Sequence, residues 1–344
     1  MSSRIKASDL MGRYIAYAAL LVLIAFFGAM APSLFLTGGN FEVILQNSAV
    51  QCVVAIGMTF VILIGSIDLS VGSTMALVGT LSAMASVEIG GGAFFLTPFI
   101  GAAIGLVNAV VFVYGRIPSF VVTLGMLSVA RGLTLIISNG TPVPIPFVGL
   151  FSSIGIPPIP IFIVVGLALV ASFVLTRTTF GRYTFAIGGD EDKANVLGLP
   201  VKQVKIIVFT LSGALAGLGG GILTAQIGSG SPTMGTGFEL TAISAVVIGG
   251  TSLTGGRGSI LGTIVGSLVM STLANGLIIL DSWRLHRCAD CADRHRAGRS
   301  RAAVDPARQD PHHEIATALL ETRTRRIQHG NDHPDPADGP DPDT

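Results

Sequence analysis

An all-α, polytopic bundle of transmembrane helices is the fold class this sequence predicts, and three observations predict it. Half of the 344 residues are hydrophobic and only 12% are charged, with a mean hydropathy of +0.71, a composition that soluble domains do not have. The apolar residues gather in nine runs of near the ~20-residue length of a bilayer-spanning helix. Charge sits between the runs and falls on one side: ten of the eleven Lys and Arg before Leu280 lie in alternate connections. Cationic connections stay in the cytoplasm, so the N-terminus, residues 1–13, is expected there.

The first run, about 14–36, follows Arg4, Lys6 and Arg13. It exceeds the ~7–15-residue apolar core of a signal peptide and no small-x-small cleavage site precedes more soluble sequence, so it is expected to span. Runs at about 43–65, 70–88, 93–114 and 118–137 come next, joined by short connections. The outside connection, about 138–158, holds Pro142, Pro144, Pro146, Pro157 and Pro158. Proline cannot continue a helix and favours extended chain, so this segment is expected to lie as a rigid outer loop. The run at about 159–176 leads into the longest inside connection, about 177–205, the one polar stretch of the body large enough for docking. Runs at about 206–228, 239–255 and 259–280 complete a membrane domain over 14–280.

Gly101-x-x-x-Gly105, Gly213-x-x-x-Gly217, Gly217-x-x-x-Gly221 and Gly262-x-x-x-Gly266 each place small residues on one helix face. In lipid such faces let backbones approach and gain dispersion contacts. They predict a bundle, with internal packing and dimerisation both open.

Gly65-Ser66-Ile67-Asp68-Leu69-Ser70-Val71-Gly72 interrupts the second and third runs. Asp68 or Ser70 either caps the next helix or, as a polar group near membrane depth, lines a pathway. Arg131 stands inside the fifth run, where a charge costs about 2.5–3.5 kcal/mol unless paired or wet. It snorkels, meets a helix C-terminus or faces water. Gln46, Asn47, Gln51, Asn108 and Gln226 either line a path or bond between helices.

In the inside connection, Gly188 and Gly189 form a turn and Asp190 can cap. Glu191, Asp192 and Ala194 then begin about two helical turns that Gly198 and Pro200 stop. A short cytoplasmic helix either docks into a partner's groove or is a solvated linker. The body has no His, no Ser-His-Asp set, no metal-ligating cluster and no Walker lysine in Gly250-Thr251-Ser252-Leu253-Thr254-Gly255-Gly256-Arg257. Catalysis and a cofactor are not expected, and the small net charge gives no footprint for nucleic acid.

From about 41 to 280 the chain resembles the permease subunits of bacterial ATP-binding-cassette sugar importers of the ribose, xylose and galactose type. The residues 65–72 carry the likeness, with Ser66 where that family usually has a second Gly. So do Ile117-Pro118-Ser119-Phe120-Val121-Val122-Thr123-Leu124-Gly125-Met126 with Ala130-Arg131-Gly132, the inside loop with Asp190 in place of a common Asn, and Gly228-Ser229-Gly230-Ser231-Pro232 through to residues 245–258. The resemblance implies a multi-pass protein of the bacterial inner membrane. It implies a second permease copy, identical or not, ABC ATPase subunits docked on the inside loops, and a periplasmic sugar-binding protein delivering a monosaccharide. Gly188, Gly189, Asp190, Glu191, Asp192, Ala194 and Gly198 would then couple to the ATPase. Asp68, Ser70, Asn108, Arg131 and Gln226 are the pathway or motif candidates. The runner-up is a branched-chain amino acid permease of the same architecture. A stand-alone ion-coupled carrier is the rival of another class, and it calls for several partnered acidic groups at mid-membrane.

The family continues beyond the ninth span with another one. Here residues 281–344 instead carry all six His, ten Arg and no Lys, and such a segment cannot cross lipid. Arg, Asp, His and Ala codons of a G- and C-rich gene, read one nucleotide later, give Val, Ile, Thr and Leu, so the tail is expected to be a frameshift product and disordered. Sequencing the gene across the Leu280 codon tests this; an intact frame, matched in the expressed protein, rejects it.

Overall fold

The computed structural model describes the backbone of residues 7–146 and 149–302, and side chains from 15 to 281 within that span. It begins with α1 (Ala7–Met30), a short α2 (Pro32–Phe35) and α3 (Gly38–Leu63), whose first turn is capped by Thr37 accepting from the Asn40 N–H. Helix α4 (Val71–Ile89) and α5 (Thr97–Gly115) are joined by a 3-10 turn, Gly90–Leu96. α6 (Ser119–Ile137) leads to β1 (Val143–Pro144) and α7 (Leu150–Ile154), then α8 (Ile159–Arg177), α9 (Thr179–Gly189) and α10 (Glu191–Val196). α11 (Val201–Ile227) precedes β2 (Ser229–Gly230), α12 (Phe238–Ile248) and α13 (Ile260–Ala302).

Each predicted run overlaps a helix, namely α1, α3, α4, α5, α6, α8, α11, α12 and α13. Six helical stretches among the described residues are long and apolar enough to cross a membrane. One of them, Val71–Gly115, holds both α4 and α5. Gly90 breaks it at φ +58, a conformation that side-chain-bearing residues avoid, and α5 then folds back beside α4.

The eighth run, 239–255, differs from expectation. Its helix stops at Ile248, roughly 16 Å of rise, because Gly250, Gly255 and Gly256 turn the backbone to positive φ. The rest is a loop whose polar groups bond within the protein: Thr251 N–H to the Val246 carbonyl, Ser252 N–H to Arg257 and Gly256 N–H to Leu63 at 2.9 Å. These bonds satisfy inside the protein backbone groups that the helix no longer serves. The boundary at Leu280 is also not a helix end, since α13 runs on to Ala302, through Ala- and Arg-rich sequence of high helix propensity. Residues 303–344, including the Asp-Pro-rich end, lie outside those described.

Helix α3 is buried at every position from 48 to 63, so it forms the centre of the bundle with α11. By contrast α8 fully buries only Pro160, Val164, Ala171 and Leu175, one stripe at helical spacing, flanked by half-buried Ile163, Leu167, Ala168 and Val174, and exposes its opposite face as a lipid-facing helix does. The glycine faces pack inside the chain. A Cβ on Gly101 would strike the Gly213 carbonyl, one on Gly213 the Gly101 carbonyl, and one on Gly217 the Thr97 carbonyl, so α5 and α11 touch backbone to backbone. Gly262 and Gly266 likewise face Gly249 and Ala245, seating α13 on α12.

Connections gather at two ends. At one, the proline-rich loop pairs with the segment after α11: β1 runs antiparallel to β2, Val143 opposite Gly230, and Ile145 N–H reaches the Gly228 carbonyl. At the other, residues 63–65 meet Gly188, Gly189 and the 254–256 loop.

Candidate functional site

Asp68 follows the helix stop at Gly65, where φ of +71 turns the chain out of α3. It is 1% exposed. Ser70 occupies the N-cap position of α4, yet its side chain makes no capping bond. The hydroxyl turns to Asp68 instead, donating to Oδ1 at 2.6 Å, and the Ser70 N–H donates to the same oxygen at 3.0 Å. Ser212 of α11 donates to Oδ2 at 2.9 Å. Asn108 of α5 donates its amide to the Ser70 hydroxyl at 2.9 Å. Ser70 therefore does not cap through its side chain, and Asp68, which accepts from the Ser70 N–H at the head of α4, is the hub of a buried network that ties α4, α5 and α11 to the α3–α4 connection. The Ser119 hydroxyl accepts from the Ile67 N–H, which brings α6 to the same point.

Glycines join this hub to the inside connection. The site of a Cβ on Gly255 lies 2.8 Å from the Gly188 carbonyl oxygen and 2.8 Å from the Gly65 nitrogen, and one on Gly188 would strike the Leu63 carbonyl. Three of the sequence motifs therefore meet in one backbone junction. Beyond it stands α10. Asp190 caps it by accepting from the Lys193 N–H at 3.0 Å and pairs with Lys193 at 2.7 Å; that hydrogen bond holds its carboxyl below the usual range and the Lys193 ammonium above its own. The cap is therefore ionised throughout the neutral range and would be lost only as pH falls below the ordinary carboxylate range. Glu191 pairs with Lys205 of α11, whose Nζ lies 4.8 Å over the Phe112 ring. Gly198, at φ +73, ends α10, and the Leu199 N–H closes back on the Ala194 carbonyl at 3.0 Å. Val196 and Leu197 are 88% and 77% exposed, an apolar tip on a polar helix.

Arg131 belongs to neither group. Its guanidinium donates to the carbonyls of Pro232 and, at 2.8 Å, Met234, pinning α6 to the loop that precedes α12, with Glu239 of α12 as a nearby anion. Sequence reasoning offered a helix terminus, a snorkel or water; loop carbonyls a hundred residues away carry no local signal. Gln226 donates to the Gln46 carbonyl at 3.3 Å and, with Asn47 and Gln51, lines a cavity of about 490 Å³ between α3, α11, α12 and α13. Asn108 is separate from it. Among the described residues no group of three or more His, Cys, Asp or Glu could hold a metal ion.

The family described as "Branched-chain amino acid transport system / permease component" matches residues 40–288. The ribose import permease protein of Escherichia coli K12 is 43% identical over 272 residues, 76% of this chain and 84% of that protein. The D-allose transport system permease protein of the same organism is 37% identical over 276 residues, 78% and 84% of the two chains. The xylose transport system permease protein of Haemophilus influenzae is 32% identical over 337 residues, 78% and 90%. No solved structure matches the chain at a significant level. The chain therefore belongs to the permease family of bacterial ATP-binding-cassette importers, as a multi-pass inner-membrane transport subunit on the sugar-permease side of that family and not itself an enzyme.

Proposed function

We propose that this permease carries a monosaccharide, handed over by a periplasmic binding protein, through a pair of permease chains driven by ATPase subunits gripped at α10. The observation that carries the reading is the junction of residues 63–65, 188–189 and 254–256. It connects an exposed, capped helix of docking character to the buried Asp68 hub through backbone contacts alone, a rigid route for a push applied at α10. Ribose, allose and xylose permeases as relatives favour a sugar over a branched-chain amino acid, although the family's description carries the latter name. The ion-coupled carrier loses ground because Asp68 and Arg131, the charges nearest a pathway, are committed to separate structural bonds. On this reading the N-terminus, residues 177–205 and the 254–256 loop face the cytoplasm, and the β1–β2 end faces the binding protein.

Uptake of radiolabelled D-ribose, D-allose and D-xylose should require the chain together with an ATPase subunit and a binding protein. Concentrative uptake by vesicles holding this chain alone overturns the scheme. Asp190→Ala removes both the cap and the ion pair of α10. It is expected to reduce ATPase retention on the purified permease about five-fold while membrane abundance stays unchanged; unchanged retention places docking elsewhere.

A further inference from the structure

The cavity between α3, α11, α12 and α13 contains two polar groups that the protein leaves unserved. Gln51 of α3 is 5% exposed. Its Oε1 accepts from the Ser271 hydroxyl at 2.9 Å, and its Nε2 is buried with no partner. Turning the amide round exchanges the atoms and still leaves one of them free, because Ser271 serves only one. Asn275 of α13 is 9% exposed, and its Oδ1 is likewise buried and unpartnered. Both side chains line the same cavity.

A buried amide left without a partner is costly and rare in folded proteins. Here the two side chains that carry these atoms, from facing helices, border one space of about 490 Å³, within the ~300–1,000 Å³ of small-molecule sites. One offers a donor and the other an acceptor, and a hydroxyl group is the chemical group that answers both. No charged side chain lines the cavity, so neither end of an amino acid zwitterion would be compensated there. Phe238, Leu223 and Met270 supply apolar wall, which suits the C–H faces of a neutral sugar. The cavity also lies at the end of α11 remote from α10: Leu223 and Gln226 border it, whereas Val201 begins the helix beside α10.

We infer that this cavity is a monosaccharide subsite in which the amides of Gln51 and Asn275 hydrogen-bond sugar hydroxyls as solute enters from the binding-protein side. The inference rests on the sugar-importer reading for its direction and solute class, and on the cavity for its residues.

The test is saturation-transfer NMR on the purified full-length chain, with D-ribose and L-leucine as probes, beside ribose uptake by the complete importer. Ribose is expected to give a signal and L-leucine none. Gln51→Met and Asn275→Leu should each weaken the ribose signal about ten-fold, whereas Thr176→Ala, on the outward helix α8, should leave it unchanged. A wild-type chain without a ribose signal overturns the inference, and so does a signal equal in wild type and both variants. A ribose signal that depends on both amides, in a complete importer that takes up no sugar, keeps the subsite and sinks the importer reading instead. Normal uptake with no amide-dependent signal does the reverse.

Discussion

Gly213→Leu should remove folded permease from the membrane. The Cβ of any residue at 213 meets the Gly101 carbonyl and sits 2.8 Å from Gly105 Cα, and the same helix pair is tightened from the other side by Gly105 against the Phe209 carbonyl. The obstacles are backbone, which has no rotamer to yield. Helix α11 cannot step aside either, since a Cβ on Gly219 would lie 2.8 Å from the Val54 side chain and one on Gly220 2.8 Å from Met75 Cα, so α3 and α4 hold it from two further directions. A single inserted methyl costs about 1–3 kcal/mol in a well-packed interior, which predicts reduced yield and thermal midpoint for Gly213→Ala. A leucine forces α5 and α11 apart over the turns that also bring Phe112 and Phe209 together at 5.3 Å. That exceeds what a fold with ~5–15 kcal/mol of total stability can absorb. Gly166→Leu is the control, because nothing lies within 4 Å of that position. Immunoblots of the membrane fraction and thermal-shift measurements should show wild-type levels for Gly166→Leu, a several-fold drop for Gly213→Ala and no folded protein for Gly213→Leu. Wild-type abundance of Gly213→Leu would mean that α5 and α11 are not packed as described.

The glycine spacing made that contact legible before any coordinates, because a small-x-x-x-small face has a direct physical consequence: backbones approach. It also left open whether the face served the chain itself or a second copy, and only the three-dimensional partners decide that. Asp190 was legible for a similar reason, since capping is a local interaction between residues three apart. The hub was not. Asp68 meets Ser212 across 144 positions and Asn108 joins through Ser70 across 38, distances at which a single sequence offers no pairing rule. The apolar run at 239–255 misled in another way. Hydropathy measures what a segment avoids, namely water, and is blind to the positive-φ glycines at 250, 255 and 256 that end the helix early. The pathway candidates divided for the same reason: Gln226 borders a cavity and Asn108 is locked in a network, yet both are amides in apolar helices.

Asp68→Ala is expected to be the most damaging polar substitution in the membrane domain, and Asp68→Asn to separate its structural and mechanical consequences. The carboxylate takes donors from the Ser70 N–H, the Ser70 hydroxyl and the Ser212 hydroxyl. Alanine leaves these buried donors without acceptors, each at about 1–3 kcal/mol, and opens a void beside them. Asparagine keeps the volume, and because the Ser70 N–H needs an acceptor, its amide oxygen faces Ser70 and its nitrogen faces the Ser212 hydroxyl. With the amide nitrogen facing Ser212, the hydroxyl must accept where it had donated, so the bond to α11 is reversed and weakened while the Ser70 turn survives. Ribose uptake should then fall at least ten-fold with the chain still present in the membrane, because motion delivered through residues 63–65 reaches α11 only through a weakened bond. Ser212→Ala should reproduce that deficit. In the double variant the losses should not add, since both changes act on one hydrogen bond, and coupling between contacting residues is typically ~0.5–3 kcal/mol. Additive losses in thermal midpoint, or an Asp68→Asn importer with full uptake, would show that Asp68 merely fills space at the head of α4. Non-additivity in both stability and uptake would identify the hub as the place where the push from α10 enters the helices around the cavity.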